Sequence, residues 1–144
     1  MAIIREAEIV ITSIIENVGD KDIERSETKC IGYYNYAGDS LEITYAERTD
    51  GGEVTSIITR RGNEITVARH GAIESRMRFV TGETHESVYS IPPYAFDASV
   101  YTKRIRDSLD ADGGELVLLY NMKIGGAEKA VRMKIWISTN SEQA

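Results

Sequence analysis

Ile73-Glu74-Ser75-Arg76-Met77-Arg78-Phe79 decides the fold. Its odd positions carry Ile73, Met77 and Phe79, with Ser75 in the same register, and its even positions carry charges. Successive residues of a strand point to opposite faces, so this period of two describes a β-strand with one dry and one wet face. Outward from it the same period recurs. Leu41-Glu42-Ile43-Thr44-Tyr45 repeats it, as do Leu116, Leu118, Tyr120 and Met122, and Val131, Met133, Ile135 and Ile137 with Trp136 on the other face.

Less regular strands are expected at residues 32–36, 53–59, 63–69, 84–91 and 94–105. Residues 6–16 are apolar on both faces, which fits a strand covered twice or one whose register is switched by a bulge. Between these segments lie Asp50-Gly51-Gly52, Arg61-Gly62-Asn63, Thr81-Gly82-Glu83, Asp112-Gly113-Gly114 and Gly125-Gly126. Glycine reaches positive φ without steric cost, so each reads as a turn. A helix has two candidate places, a turn near residues 18–23 and residues 103–109, where the β-branched approach through Val100 and Thr102 favours a long strand instead.

About ten segments result, some of them halves of one bent strand. No helix is available to cover the apolar face of so long a sheet, and an open edge rich in Val, Ile and Tyr invites pairing with other chains. Rolling the sheet on itself removes both problems. The sequence therefore predicts an all-β fold, a closed antiparallel up-and-down β-barrel of about eight strands. It forms one domain over residues 1–139 with a disordered tail at 140–144.

The length of 144 residues suits one domain. A net charge of −6 disfavours nucleic acid, whose backbone is bound by displacing counterions with Lys and Arg. The charge is uneven: residues 1–56 hold 5 basic and 12 acidic side chains, the rest 12 and 11. Arg60, Arg61, Arg69, Arg76, Arg78, Lys103, Arg104 and Arg106 then belong either to a solvated wall pairing charges across strands or to a positive groove. A single cysteine, Cys30, excludes an internal disulfide, and Arg5, Glu6 and Glu8 break any leader-like apolar start. A cytoplasmic protein is expected, with no stretch long and apolar enough for a membrane helix.

Polar residues in the apolar register point inward and are the candidates for binding. Arg69 follows Ile65 and Val67, Ser75 lies between Ile73 and Met77, Thr102 follows Ala98 and Val100, and Tyr45, Tyr89 and Tyr120 end or interrupt apolar stripes. One reading is a cavity in which Arg69 meets the carboxylate or phosphate of a small, partly apolar ligand. The other is a filled core, Arg69 paired with Glu47 or another acid, in a barrel that serves as an interaction or structural module and can form a homodimer.

His70 and His85 are the only histidines, and no metal site, cofactor loop or dinucleotide fingerprint is present. Glu86 and Ser87 beside His85 alternate faces in a strand, so their adjacency makes no catalytic triad. No catalytic residue is nominated. Pro92-Pro93-Tyr94 reads as a turn between strands rather than a proline-rich ligand.

From Thr66 onward the chain resembles the YwiB-like, or DUF1934, family of small bacterial proteins. The resemblance is carried by Arg69 and Gly71, by Met77, Phe79, Gly82 and His85, by Tyr89 and Pro92, by Val100 and Thr102, and by Gly113-Gly114-Glu115-Leu116 leading to Tyr120. The N-terminal half agrees in strand count and turn placement. After Tyr89 the pattern departs, because the family's Tyr-x-Thr-Pro-x-Gly is replaced by Tyr89-Ser90-Ile91-Pro92-Pro93-Tyr94. The resemblance implies a calycin-like, lipocalin-shaped barrel and an intracellular setting, and it brings no catalytic residues. The Gly-x-Trp that marks secreted lipocalins near their first strand is missing, since the one tryptophan is Trp136.

Overall fold

The computed structural model describes residues 3–139, so the tail expected at 140–144 lies outside the described residues. Ten strands follow one another: β1 (Ile3–Asn17), β2 (Ile23–Tyr36), β3 (Ser40–Thr49), β4 (Gly52–Arg61), β5 (Glu64–Gly71), β6 (Glu74–Phe79), β7 (Thr84–Ile91), β8 (Tyr94–Asp107), β9 (Gly113–Ile124) and β10 (Ala127–Thr139). Each pairs antiparallel with its sequence neighbours, and β1 closes the barrel on β10 from Ala7 opposite Thr139 to Asn17 opposite Lys129. The closed up-and-down barrel is as expected. Its strand number is ten rather than about eight, because the segments taken as halves of bent strands are separate strands.

The two N-terminal hairpin strands differ most from the sequence reading. β1 carries no bulge in either of its ladders, and its two apolar faces have different neighbours. Ala7, Ile9 and Ile11 enter the core, while Val10 on the outer face lies opposite Trp136. No helical turn forms near residues 18–23. A turn there leads directly into β2, which begins nine residues before the expected strand at 32–36. Residues 103–107 continue β8 as a strand, with a register shift between Thr102 and Arg104.

Cross-strand partners stack the inner side chains of β3 to β6 in layers. The lowest is Leu41, Arg60, Ile65 and Phe79, and the next is Ile43, Ile58, Val67 and Met77. Opposite them Leu116, Leu118, Ile135 and Ile137 complete a core in which Phe79 meets the Tyr120 ring edge-on at 4.8 Å.

One end of the barrel is closed by the loop between β8 and β9. Leu109 is buried there, the Tyr34 hydroxyl donates to the Asp110 carbonyl at 2.6 Å, and the Arg60 guanidinium joins the Asp107 carboxylate while donating to the Gly38 carbonyl at 2.7 Å. Gly113 and Gly114 make the return. Both hold φ beyond +110°, and a Cβ on either would run into a backbone carbonyl, of Ile137 or of Ser108.

Two seams interrupt the wall. β6 and β7 share only Glu74 opposite Ser90 and Ser75 opposite Tyr89. β2 and β3 pair only from Tyr33–Tyr36 to Leu41–Thr44. They part at Gly32, where a Cβ would meet the Thr44 carbonyl, Ile9 Cδ1 and Tyr45 Cβ, so a side chain there would force the strands apart earlier.

Candidate functional site

Above the two apolar layers the next row of inner residues is polar. Tyr45 lies opposite Ser56, Ser56 opposite Arg69, Arg69 opposite Ser75, and Ser75 opposite Tyr89, so five consecutive strands each contribute one polar side chain to a single row. Thr102 and Tyr120, paired across β8 and β9, face the row from the other wall. The row slants toward the open end: Tyr45, Ser56 and Ser75 are buried, Arg69 and Tyr89 are half-buried, and Phe96, the partner of Tyr89, is exposed.

All six residues nominated from the sequence, Arg69, Ser75, Tyr89, Thr102, Tyr120 and Tyr45, thus occupy the inner face, with Thr102 fully buried. Electrostatics ties Arg69 to two of the tyrosines, Tyr120 and Tyr45. Burial pushes the Tyr120 phenol up to about 12, against the pull of the Arg69 guanidinium and with Tyr89 adding to the rise. Burial likewise pushes Tyr45 up, opposed by the nearby Ser56 hydroxyl, whose contact with the phenol lacks the alignment of a hydrogen bond, and by Arg69. These hydroxyls are neutral at any physiological pH and can donate a hydrogen bond to an anion.

Unpartnered buried polar atoms concentrate at this level of the barrel, with Arg60 Nε and Asn35 Oδ1 the others among the described residues. Arg69 Nε, Ser56 Oγ, Ser75 Oγ, Thr102 Oγ1 and, one position along β7, Ser87 Oγ are buried with no hydrogen-bond partner among the described residues. Arg69 enters none of the salt bridges described, so the pairing with Glu47 that a filled core would use is not formed. Buried polar groups in folded proteins are nearly always paired, and a buried cation without a counter-charge is costly. Five such atoms, one of them on a guanidinium, thus face one inner surface of the barrel.

Sequence reasoning missed Ser56 and Ser87. The signal for Ser56 was present, since it lies between Val54 and Ile58 in the register that singled out Ser75. Ser87 shares its parity with Tyr89 but was hidden by the search for a triad around His85. His85 itself lies within 2.8 Å of the Glu83 carboxylate, beside the β6–β7 seam rather than in the polar row. Among the described residues no cluster of His, Cys, Asp and Glu could hold a metal.

The apolar surroundings of the row belong to the open end. Val100, Val131 and Met133 are buried and Met122 half-buried on β8 to β10. A groove of about 560 Å³ between the middle of β7, the first part of β8 and the β9–β10 turn includes the inner-face residues Ser87 and Ala98, with Lys123 at its edge. Outside, the wall pairs charges across strands, as between Arg78 and Glu64 at 2.7 Å and Lys134 and Glu115 at 3.4 Å.

Comparison with known proteins gives a consistent relationship. A model of the family described as "Domain of unknown function (DUF1934)" matches residues 9–136, well beyond the C-terminal half that carries the motif residues. The chain is similar to the "Uncharacterized beta-barrel protein YwiB" of Bacillus subtilis (strain 168), with 28% identity over 119 residues, 83% of this chain and 82% of that protein. It also matches the crystal structure of ywiB protein from Bacillus subtilis with a TM-score of 0.86 and 26% identity, covering 96% of this chain and 94% of the other.

Proposed function

We propose that this chain, which belongs to the DUF1934 family, uses its barrel to bind a small intracellular ligand that carries one anionic group and an apolar body. The observation that carries the reading is the Arg69 guanidinium, held on the inner face with a buried, unpartnered Nε among equally unpartnered hydroxyls. A carboxylate or phosphate at this point accepts from Arg69 in the two-pronged geometry a guanidinium favours, and Ser56, Ser75 and Thr102 supply further donors. The apolar body then lies along Val100, Val131, Met122 and Met133, where unbranched methionines repack around ligands of different shape. The groove that reaches Ser87 and Ala98 is the entrance.

Calorimetric titration with decanoate, phenyl phosphate and inorganic phosphate tests this, with decanol as the uncharged control. At least one anionic probe binds the wild type, and Arg69→Met weakens it by about tenfold or more, the weight of one charge-assisted hydrogen bond. Decanol shows no such difference. Equal affinities of wild type and Arg69→Met for every anionic probe refute the assignment, and native mass spectrometry of protein purified from cells identifies the natural occupant.

A further inference from the structure

β2 is longer than the barrel needs. It pairs with β1 along its whole length, yet with β3 only over Tyr33–Tyr36. Extending that second register would bring Thr28 opposite Thr49, the last residue of β3, so the part of β2 before Thr28 has run past the β3–β4 hairpin. Residues 23–27 are all exposed. Among the described residues nothing pairs with their outer backbone groups, and such a strand edge is a template for another strand.

The side chains along that edge decide which strand fits. Glu24, Arg25, Glu27 and Lys29 alternate in sign along the edge and sum to zero, so a second copy of the edge can meet each with an opposite charge or a neutral residue. Two copies of this edge meeting antiparallel about a two-fold axis have few registers open to them. Centring on Glu24, Arg25, Glu27 or Lys29 places a charge opposite itself. Centring on Thr28 carries the second copy into β3. Centring on Ser26 places Arg25 of each copy opposite Glu27 of the other, twice, and lays the Lys29 stem over Ile23 of the other copy, which is otherwise more than half exposed.

We propose that two copies of this chain associate edge to edge through residues 23–29 of β2, antiparallel about a two-fold axis at Ser26. The contact continues the sheet of each barrel into the other and leaves both interiors untouched. Seven paired residues a side make a small interface, so the dimer is weak and depends on concentration.

Two measurements test it. In a Cys30→Ser background, Ser26→Cys places two thiols across the axis, at the roughly 4.5–5.5 Å Cβ separation of directly opposed residues, and a disulfide dimer forms under mild oxidation. Thr28→Cys in the same background places its thiols about four residues apart along the strands, beyond disulfide reach, and cross-links at least about tenfold more slowly. Sedimentation from about 10 to about 500 µM gives the second readout with Cys30 intact. Arg25→Glu abolishes the rise in mean mass with concentration, and Arg25→Glu with Glu27→Arg restores it. Equal cross-linking at positions 26 and 28, or a mass that stays monomeric at every concentration, overturns the proposal.

Discussion

Replacing Arg69 by methionine should make the ligand-free protein more stable. Arg69 Nε is buried without a partner, and no carboxylate of the described residues neutralises the group. An unsatisfied buried donor costs about 1–3 kcal/mol, and partial exposure of the guanidinium keeps the figure at the lower end. Methionine has similar length, adapts to the space and carries no donor. The expected gain is about 1–2 kcal/mol, which for a domain of this size raises Tm by roughly 3–8 °C. Differential scanning calorimetry on protein stripped of small molecules measures it. Arg60→Met is the matched control at the closed end, because it strands the Asp107 carboxylate, only 23% exposed, and should cost about 2 kcal/mol. A fall in Tm for Arg69→Met comparable with that of Arg60→Met would show that Arg69 is a structural member of the fold, and the binding argument would fail with it.

Phe79→Ala removes a fully buried ring from the lowest layer and its edge-on contact with Tyr120, so urea unfolding should register a loss of about 3–5 kcal/mol. Gly32→Val drives a side chain into the Thr44 carbonyl and Ile9 where β2 leaves β3, with an expected loss of about 1–3 kcal/mol in the same assay. Tyr120 has a folded pKa of about 12, above its ordinary value of 10, so the stability it contributes is complete below pH 10 and is lost as pH rises toward 12. Urea midpoints taken from pH 9 to 12 should therefore fall less steeply for Tyr120→Phe than for the wild type. Some alkaline decline remains in the variant, because burial raises Tyr34 and Tyr45 in the same direction.

The barrel was legible wherever a strand has one face in the core. β3, β6, β9 and β10 each repeat one inward register, which placed Ser75 and Tyr120 on the inside, while Thr102 followed from the less regular register of β8. The same signal fails for the first half of β2. Ile23-Glu24-Arg25-Ser26-Glu27-Thr28-Lys29 has no apolar period because it projects past β3 and is held in strand form by its ladder to β1. Hydrophobic patterning reports burial, and a strand that buries little leaves no pattern; a strand such as β1, apolar on its outer face as well, gives a pattern with no single phase. That Arg69 lacks an acidic partner was beyond sequence reasoning for another reason. Register placed Glu47 near it, one inner position further along β3 than Tyr45, but whether two side chains meet depends on layer height and rotamer, which no periodicity encodes.

Two of the arginines in the inward register separate a structural from a functional reading. Arg60 and Arg69 lie on neighbouring strands, in the lowest and the third layer of the same wall. At Arg60 the chain supplies a carboxylate from Asp107 and a carbonyl from Gly38, and the loop carrying Asp107 seals that end with Leu109. The fold can therefore neutralise an inward guanidinium, and it does so where closure is the purpose. At Arg69 it places serine, threonine and tyrosine hydroxyls around the cation, groups that orient an acceptor without cancelling a charge. A carboxylate at position 56 or 75 would have made the second site resemble the first. Introducing one, as Ser75→Glu, should close the site electrostatically: an ion pair with Arg69 forms, and the affinity for anionic probes is lost while decanol is unaffected.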